Sequence, residues 1–186
     1  MIIVGVTGKA GAGKGKVVSF FTSKGYSHFS VRDFLLKEIE KRNMPAVRDS
    51  AIKVANLLRR EKSPSYLIEQ VYEEAKKQDK NIIIESLRTP AEVAYLKSIP
   101  HSFLIAIDAP QNIRYERIKN RNGNFDKISF EQFADEDTRE SASKDPSEGN
   151  IEACIKLADF VVQNDGTVDE LNGRLEQIFE RLDKVQ

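Results

Sequence analysis

The sequence predicts a three-layer α/β domain on a parallel sheet of about five strands. Three observations carry this. Short β-branched runs alternate with stretches of helical period, a glycine cluster separates the first such run from the first helix, and 186 residues suffice for one full core.

Taken in order, Ile2-Ile3-Val4-Gly5-Val6 is apolar without alternation, as in a parallel strand buried on both faces. Asn81-Ile82-Ile83-Ile84, Phe103-Leu104-Ile105-Ala106-Ile107 and Phe160-Val161-Val162 repeat the pattern, and His28-Phe29-Ser30-Val31 is a weaker instance. Between them, Lys16 to Lys24 carries Val17, Val18, Phe20 and Phe21 at helical spacing. A second helix opens at Phe34-Leu35-Leu36 with Ile39, and a third holds Ile52, Val54, Ala55, Leu57 and Leu58. A fourth holds Tyr66, Leu67, Ile68, Val71, Tyr72 and Ala75, and the last runs from Val168 through Leu171, Leu175, Ile178, Phe179 and Leu182. Right-handed crossovers place such helices on both faces of the sheet.

Two regions break the alternation within the single domain 1–186. Residues 31–78 read as purely helical and are too long for one crossover. Residues 110–149 hold a helix, a polar Asn122-Gly123-Asn124 turn and an acidic helix. Both are expected over the carboxyl ends of the strands, where open α/β sheets bind ligands.

Lys and Arg number 29, Asp and Glu also 29, so the net charge is zero; the hydrophobic fraction is 40%. This excludes a disordered chain and a protein that coats nucleic acid. No apolar run approaches the roughly 18 residues needed to span a membrane. Cys154 alone closes no intrachain disulfide, and Met1 leads straight into a strand-like run. The expectation is a cytoplasmic monomer or homodimer serving small molecules, with no nucleic acid or membrane partner. The charge balance is uneven. The first 32 residues contain Lys9, Lys14, Lys16, Lys24 and Arg32 and no acid, and Glu131, Asp135, Glu136, Asp137 and Glu140 cluster late in the chain.

Five of the ten glycines fall between Gly5 and Gly15. Gly8-Lys9-Ala10-Gly11-Ala12-Gly13-Lys14-Gly15 satisfies the G-x-x-x-x-G-K core of the phosphate-binding loop, with a strand before it and a helix after it. Glycines let successive backbone N–H groups share one concavity, the helix start adds positive potential, and Lys14 reaches the terminal phosphates. Gly15 stands where most such loops place a Ser or Thr to contact Mg²⁺, and Lys16 follows it, as a further cation or a solvated one.

Ile82-Ile83-Ile84-Glu85-Ser86-Leu87-Arg88 ends a predicted central strand on a carboxylate suited to Mg²⁺, with an arginine three residues on that can clamp an acceptor phosphate. Ser30-Val31-Arg32-Asp33 opens the long helical region; Asp33 reads either as a base near the acceptor or as part of a helix cap. Arg48, Arg59 and Arg60 lie inside that region. Arg114, Arg117 and Arg121 share one helix face, an arrangement that calls for an anion opposite.

The G-K-G loop resembles that of adenylate kinases, and Glu85 to Arg88 is similar to the D-G-x-R segment of their relatives, with Glu for Asp. Ala158-Asp159-Phe160-Val161-Val162-Gln163-Asn164-Asp165-Gly166-Thr167 resembles the ending of dephospho-CoA kinases. Together these segments resemble the P-loop nucleoside-monophosphate-kinase-like group, in particular its archaeal adenylate-kinase-related and dephospho-CoA-kinase-like members. The resemblance implies a three-layer P-loop NTPase fold with residues 31–78 as an acceptor-binding insertion and 110–149 as a lid. It implies transfer of the ATP γ-phosphoryl group, with Mg²⁺, to a nucleoside monophosphate; dephospho-CoA as acceptor, or a nucleotide-binding module with little turnover, are the alternatives. Gly8, Lys9, Ala10, Gly11, Ala12, Gly13, Lys14, Gly15 and Lys16 would hold the donor phosphates, and Asn164 and Gly166 would lie near the adenine. Glu85 would organise Mg²⁺, Arg88 and Asp33 would serve the acceptor, and Arg117 and Arg121 would close over the transferring group.

Overall fold

A computed structural model describes residues 1–120 and 129–184. Along the chain lie β1 (Ile3–Thr7), α1 (Lys14–Ser23), β2 (Ser27–Ser30), α2 (Val31–Lys41), α3 (Arg48–Glu61), α4 (Tyr66–Ala75) and β3 (Ile82–Leu87). There follow α5 (Pro90–Lys97), β4 (Ser102–Asp108), α6 (Gln111–Lys119), α7 (Phe130–Ser141), α8 (Ile151–Lys156), β5 (Phe160–Gln163) and α9 (Val168–Asp183).

The five strands pair in parallel in the order β2-β3-β1-β4-β5. β1 takes the centre because all five of its residues are buried. From β1 the chain builds the β2–β3 side first and the β4–β5 side afterwards, so the connections reverse direction at β1. The carboxyl end of β1 is therefore the switch point, where an open sheet leaves a crevice.

Strand side chains alternate between faces, which divides the core in two. Ile3, Ile82, Ile84 and Leu104 pack against Leu35, Leu58, Leu67 and Leu96 of α2 to α5. Val4, Val6, Ile83 and Ile105 pack against Val17 and Phe21 of α1 and Leu175 and Ile178 of α9. This is the expected three-layer α/β architecture. Cys154 belongs to the first core, where burial pushes its thiol up to about 12, so it is unreactive near neutral pH.

Residues 31–78 form three helices between β2 and β3, as the apolar spacing predicts. Several boundaries shift for local reasons. α1 starts at Lys14 rather than Lys16, since Gly15 and Lys16 face solvent and leave no apolar trace of that turn. Val31 starts α2 instead of ending β2, because the Ser30 hydroxyl accepts from the Asp33 N–H and caps the helix. α5 spreads its apolar residues around the helix rather than along one stripe, and α8 is only six residues long. The Asn122-Gly123-Asn124 turn lies outside the described residues. Among the described residues no helix is long and apolar enough to cross a membrane.

Candidate functional site

The loop between β1 and α1 turns on Gly8, Gly11 and Gly13, with φ of 147°, 78° and 114°. Each of these glycines is required twice over: a Cβ on Gly8 would strike the Ile107 carbonyl. A Cβ on Gly11 would strike the backbone carbonyl of Arg114, and one on Gly13 would strike the Asn164 amide, besides the cost of the left-handed φ. The Ala12 N–H donates to the Lys9 carbonyl at 3.2 Å and closes the turn. No side chain caps α1; the Lys16 N–H donates to the Gly13 carbonyl at 2.8 Å, and the helix start brings its positive end to the loop. The Lys14 Nζ donates to the Gly8 and Lys9 carbonyls at 2.7 and 3.1 Å, which holds the ammonium against the loop. Around Gly15 a Cβ would meet nothing within 4 Å, so no steric demand explains the missing hydroxyl residue. Lys16 is exposed, and Lys9 pairs with Glu152 at 3.4 Å.

Two arginines and an asparagine hold the loop from outside. Arg114 is 3% exposed; its fork binds both Asp137 oxygens at 2.6 and 2.7 Å, and it also donates to the Ala109 and Ala10 carbonyls. The anion opposite this basic helix face is thus Asp137 of α7, not a phosphate, at least for Arg114. Arg117 donates to the Asn164 carbonyl at 2.8 Å and lies 3.5 Å from that of Ala12. The Asn164 amide donates to the same Ala12 carbonyl at 2.7 Å. Asn164 is therefore buried and braced on the loop backbone. Gly166 leaves room for the Glu170 carboxylate, which completes the capping box of α9 with Thr167. Arg121 lies outside the described residues.

On the other side of the loop lies Glu85. It sits within β3 rather than ending it, because the strand continues to Leu87 through a bulge. Val6 pairs with Glu85 and Thr7 with Leu87, so Ser86 is the extra residue, at φ 76°. That left-handed position is the one that the D-G-x-R pattern fills with glycine. Glu85 lies 3.5 Å from the His28 Nε2. Burial acts to raise its carboxyl, but the His28 hydrogen bond and the charges of His28 and Lys14 hold it below the usual carboxylate value. The same bond raises His28 above 6.5. Asp33 donates its N–H to the helix cap, while its exposed carboxylate adds to the field at His28.

Arg88 leaves β3 with its backbone pinned. Its N–H donates to Glu92 at 2.7 Å and its carbonyl accepts from the Asn150 N–H at 2.8 Å. Its guanidinium meets Glu140 of α7 at 2.5 Å, and the other Glu140 oxygen accepts from Arg48 at 3.1 Å. Arg48 also pairs with Glu136 at 2.6 Å. Arg59, by contrast, is buried on Glu92, and Arg60 pairs with Asp145 and Glu148 at the surface. Of Arg48, Arg59 and Arg60, only Arg48 shares a carboxylate with the Arg88 guanidinium.

Burial acts to raise the Glu140 carboxyl, yet Arg88, Arg48 and the charge of Lys14 hold it down to about 2, against 4.5 when unperturbed. A depressed carboxylate contributes stability present above its unfolded value and lost as the pH falls toward the folded one. Wild type is expected to exceed Glu140→Gln by about 3 kcal/mol near neutral pH. The gap should close between pH 4.5 and about 2. Urea titrations of both proteins at stepped pH check this, and a gap constant over that window would contradict it.

Sequence reasoning missed Glu92, Asp137, Glu140 and His28. Glu92 carried a readable signal: Thr89-Pro90-Ala91-Glu92 has capping-box spacing with Pro at the first helical position, and the box is present. The partners of Arg114 and Arg88 had no local signal.

The fold and the loop together define a P-loop kinase-like domain, and solved structures bear this out. A shikimate kinase from Bacteroides thetaiotaomicron superposes with a TM-score of 0.61 at 11% identity, over 96% of this chain and 98% of its own. TT1252 from Thermus thermophilus gives 0.61 at 21% identity over 97% of both chains, and a dephospho-CoA kinase from Campylobacter jejuni 0.52 at 16% identity over 97% and 95%. At such identities the likeness is one of fold. The chain itself belongs to the AAA domain family, whose model matches residues 4–141. UPF0200 proteins of Pyrococcus abyssi and Methanococcus vannielii are each 29% identical to it, over 97% of both chains and over 99% and 100% respectively. Phosphoryl transfer is the general chemistry that such a domain supports.

Proposed function

We propose that this chain transfers the γ-phosphoryl group of ATP, with Mg²⁺, to a small acceptor that already carries a phosphate, a nucleoside monophosphate in the first instance. The observation that carries this reading is the meeting of Arg88 and Arg48 on one carboxylate, Glu140, which the charge of Lys14 also reaches. A donor phosphate needs the loop and one lysine. Arg88 and Arg48 take one Glu140 oxygen each and stay partly open to solvent, which suits a second anion.

In this reading the backbone amides at Gly11, Gly13 and Gly15, with Lys14, hold the donor phosphates. Arg88 and Arg48 hold the acceptor. Arg117, braced on the loop, stands where it can stabilise the transferring group, and Arg121 is expected to join it. Glu85 fits Mg²⁺: the ion takes one or two carboxylates together with phosphate oxygens and water, and Glu85 is a partly buried, ionised carboxylate within the field of Lys14. Bound there, the ion would offset charge on the phosphates. A phosphate acceptor is ionised near pH 7, so Asp33 serves the local field at His28 rather than abstracting a proton.

A coupled assay with ATP–Mg²⁺ against AMP, CMP, dCMP, UMP, GMP and dephospho-CoA tests the reading. Turnover with at least one acceptor is expected. Measurable ATP binding with no turnover on any of them would leave a nucleotide-binding module instead. Arg88→Ala should raise the acceptor KM by roughly ten- to hundredfold, the worth of a charge-assisted contact, and leave the donor KM within about twofold. The reverse split would remove Arg88 from the acceptor site.

A further inference from the structure

We propose that Glu140 stands in for the acceptor's phosphate in the unliganded chain, so that Arg48 and Arg88 form an anion clamp which an incoming phosphomonoester takes over from it. The inference rests on the acceptor reading above and adds to it both a residue, Arg48, and a resident competitor.

The argument begins with how the arginines of this chain are satisfied. Arg59 and Glu92 are 2% and 0% exposed at their side chains, and Glu92 is filled by Arg59 on one oxygen and by the Arg88 and Thr89 N–H groups on the other. Arg114 and Asp137 meet fork to fork at 3% and 7% exposure. Both pairs are closed, and neither offers a ligand an approach.

The Glu140 group is built differently. One carboxylate serves two guanidiniums, with one oxygen for each. Neither arginine receives the bidentate partner that its geometry favours. Arg88 remains 33% exposed and Arg48 21%, while Glu140 between them is 12% exposed. Solute can therefore reach the cations from the open side. The three residues come from separate elements: Arg48 opens α3, Arg88 follows β3, and Glu140 lies in the last turn of α7.

A phosphomonoester is the better occupant. It carries up to two charges where the carboxylate carries one, and three terminal oxygens where the carboxylate has two, enough for a separate oxygen pair or fork on each arginine. Nothing in the clamp depends on Glu140 staying. The Arg88 backbone is tied to Glu92 and Asn150, and Arg48 keeps Glu136. The α7 helix keeps its Asp137–Arg114 anchor when Glu140 swings away. The exchange is then a side-chain event on a preformed clamp, and an acceptor without an anionic group has nothing with which to displace the carboxylate.

Calorimetric titration of the whole chain with inorganic phosphate and with each of the nucleoside monophosphates above tests this, with ATP as a separate control. Removing the competitor should tighten binding, so E140Q is expected to bind the monophosphate about tenfold more tightly than wild type, and R48Q to bind it about tenfold more weakly. Should E140Q fail to fold, E140D carries the test. It keeps the charge but is one methylene too short to bridge both arginines, and it should also gain affinity. Equal affinity in wild type and the Glu140 variants would overturn the exchange alone. Weaker binding in them would do so too, by showing that Glu140 positions the arginines. Millimolar monophosphate bound by neither protein, with ATP bound normally, would overturn the acceptor reading and the exchange with it.

Discussion

Lys14→Ala is expected to lower nucleotide affinity and turnover by roughly 10²–10³-fold or more while leaving the chain folded, as removal of one preorganised charge at a phosphoryl site does. The ammonium is held on the Gly8 and Lys9 carbonyls, and both Glu85 and Glu140 lie within its field. In the folded chain its contribution to stability is small, since each such hydrogen bond is worth about 1 kcal/mol net. Far-UV circular dichroism should therefore be unchanged and the melting temperature only slightly lower. ATP titration and the coupled assay carry the decisive readout, and wild-type kinetics in the variant would refute the assignment of the loop.

Glu92→Ala is expected to destabilise the domain by about 3–5 kcal/mol, a large share of what a single domain ordinarily has. It leaves the Arg59 guanidinium buried without a counter-charge and the Arg88 and Thr89 N–H groups without an acceptor. The urea midpoint measures this. A double change, Arg59→Met with Glu92→Leu, should recover much of the loss, because it removes both buried charges rather than stranding one. A cost under about 1 kcal/mol for the single change would show that the pair is not buried as described. Since Glu92 also fixes the Arg88 backbone, the acceptor KM should rise in the single variant if the protein remains folded.

The two predictions separate what was readable from what was not. The phosphate loop was legible because its chemistry is local. A strand, five glycines, a lysine and a helix follow one another within the first 23 residues, and glycine alone tolerates the φ values found at Gly11 and Gly13. The sheet was legible for the same reason, since every strand but β2 carries an apolar run of three or more residues. The length of the helical region after β2 was legible too. α5 and α8 were not, because the apolar residues of one ring the helix instead of forming a stripe and the other is six residues long.

The arginines mark the limit. Arg59, Arg88 and Arg114 look alike on the page, and each sits near a predicted helix or strand end. Their partners lie 33, 52 and 23 residues away, at Glu92, Glu140 and Asp137. Burial makes two of these pairs closed structural joints and leaves the third open to solvent.

Reading residues in order is enough to establish a P-loop domain of α/β class, the place of its anion nest and the lysine that serves it, since each depends on neighbours along the chain. Which cation faces a ligand and which faces a carboxylate was settled only by the folded molecule. An ion pair is decided by distance and desolvation in space, and those belong to the packing of β3, α3 and α7 rather than to any one stretch of sequence.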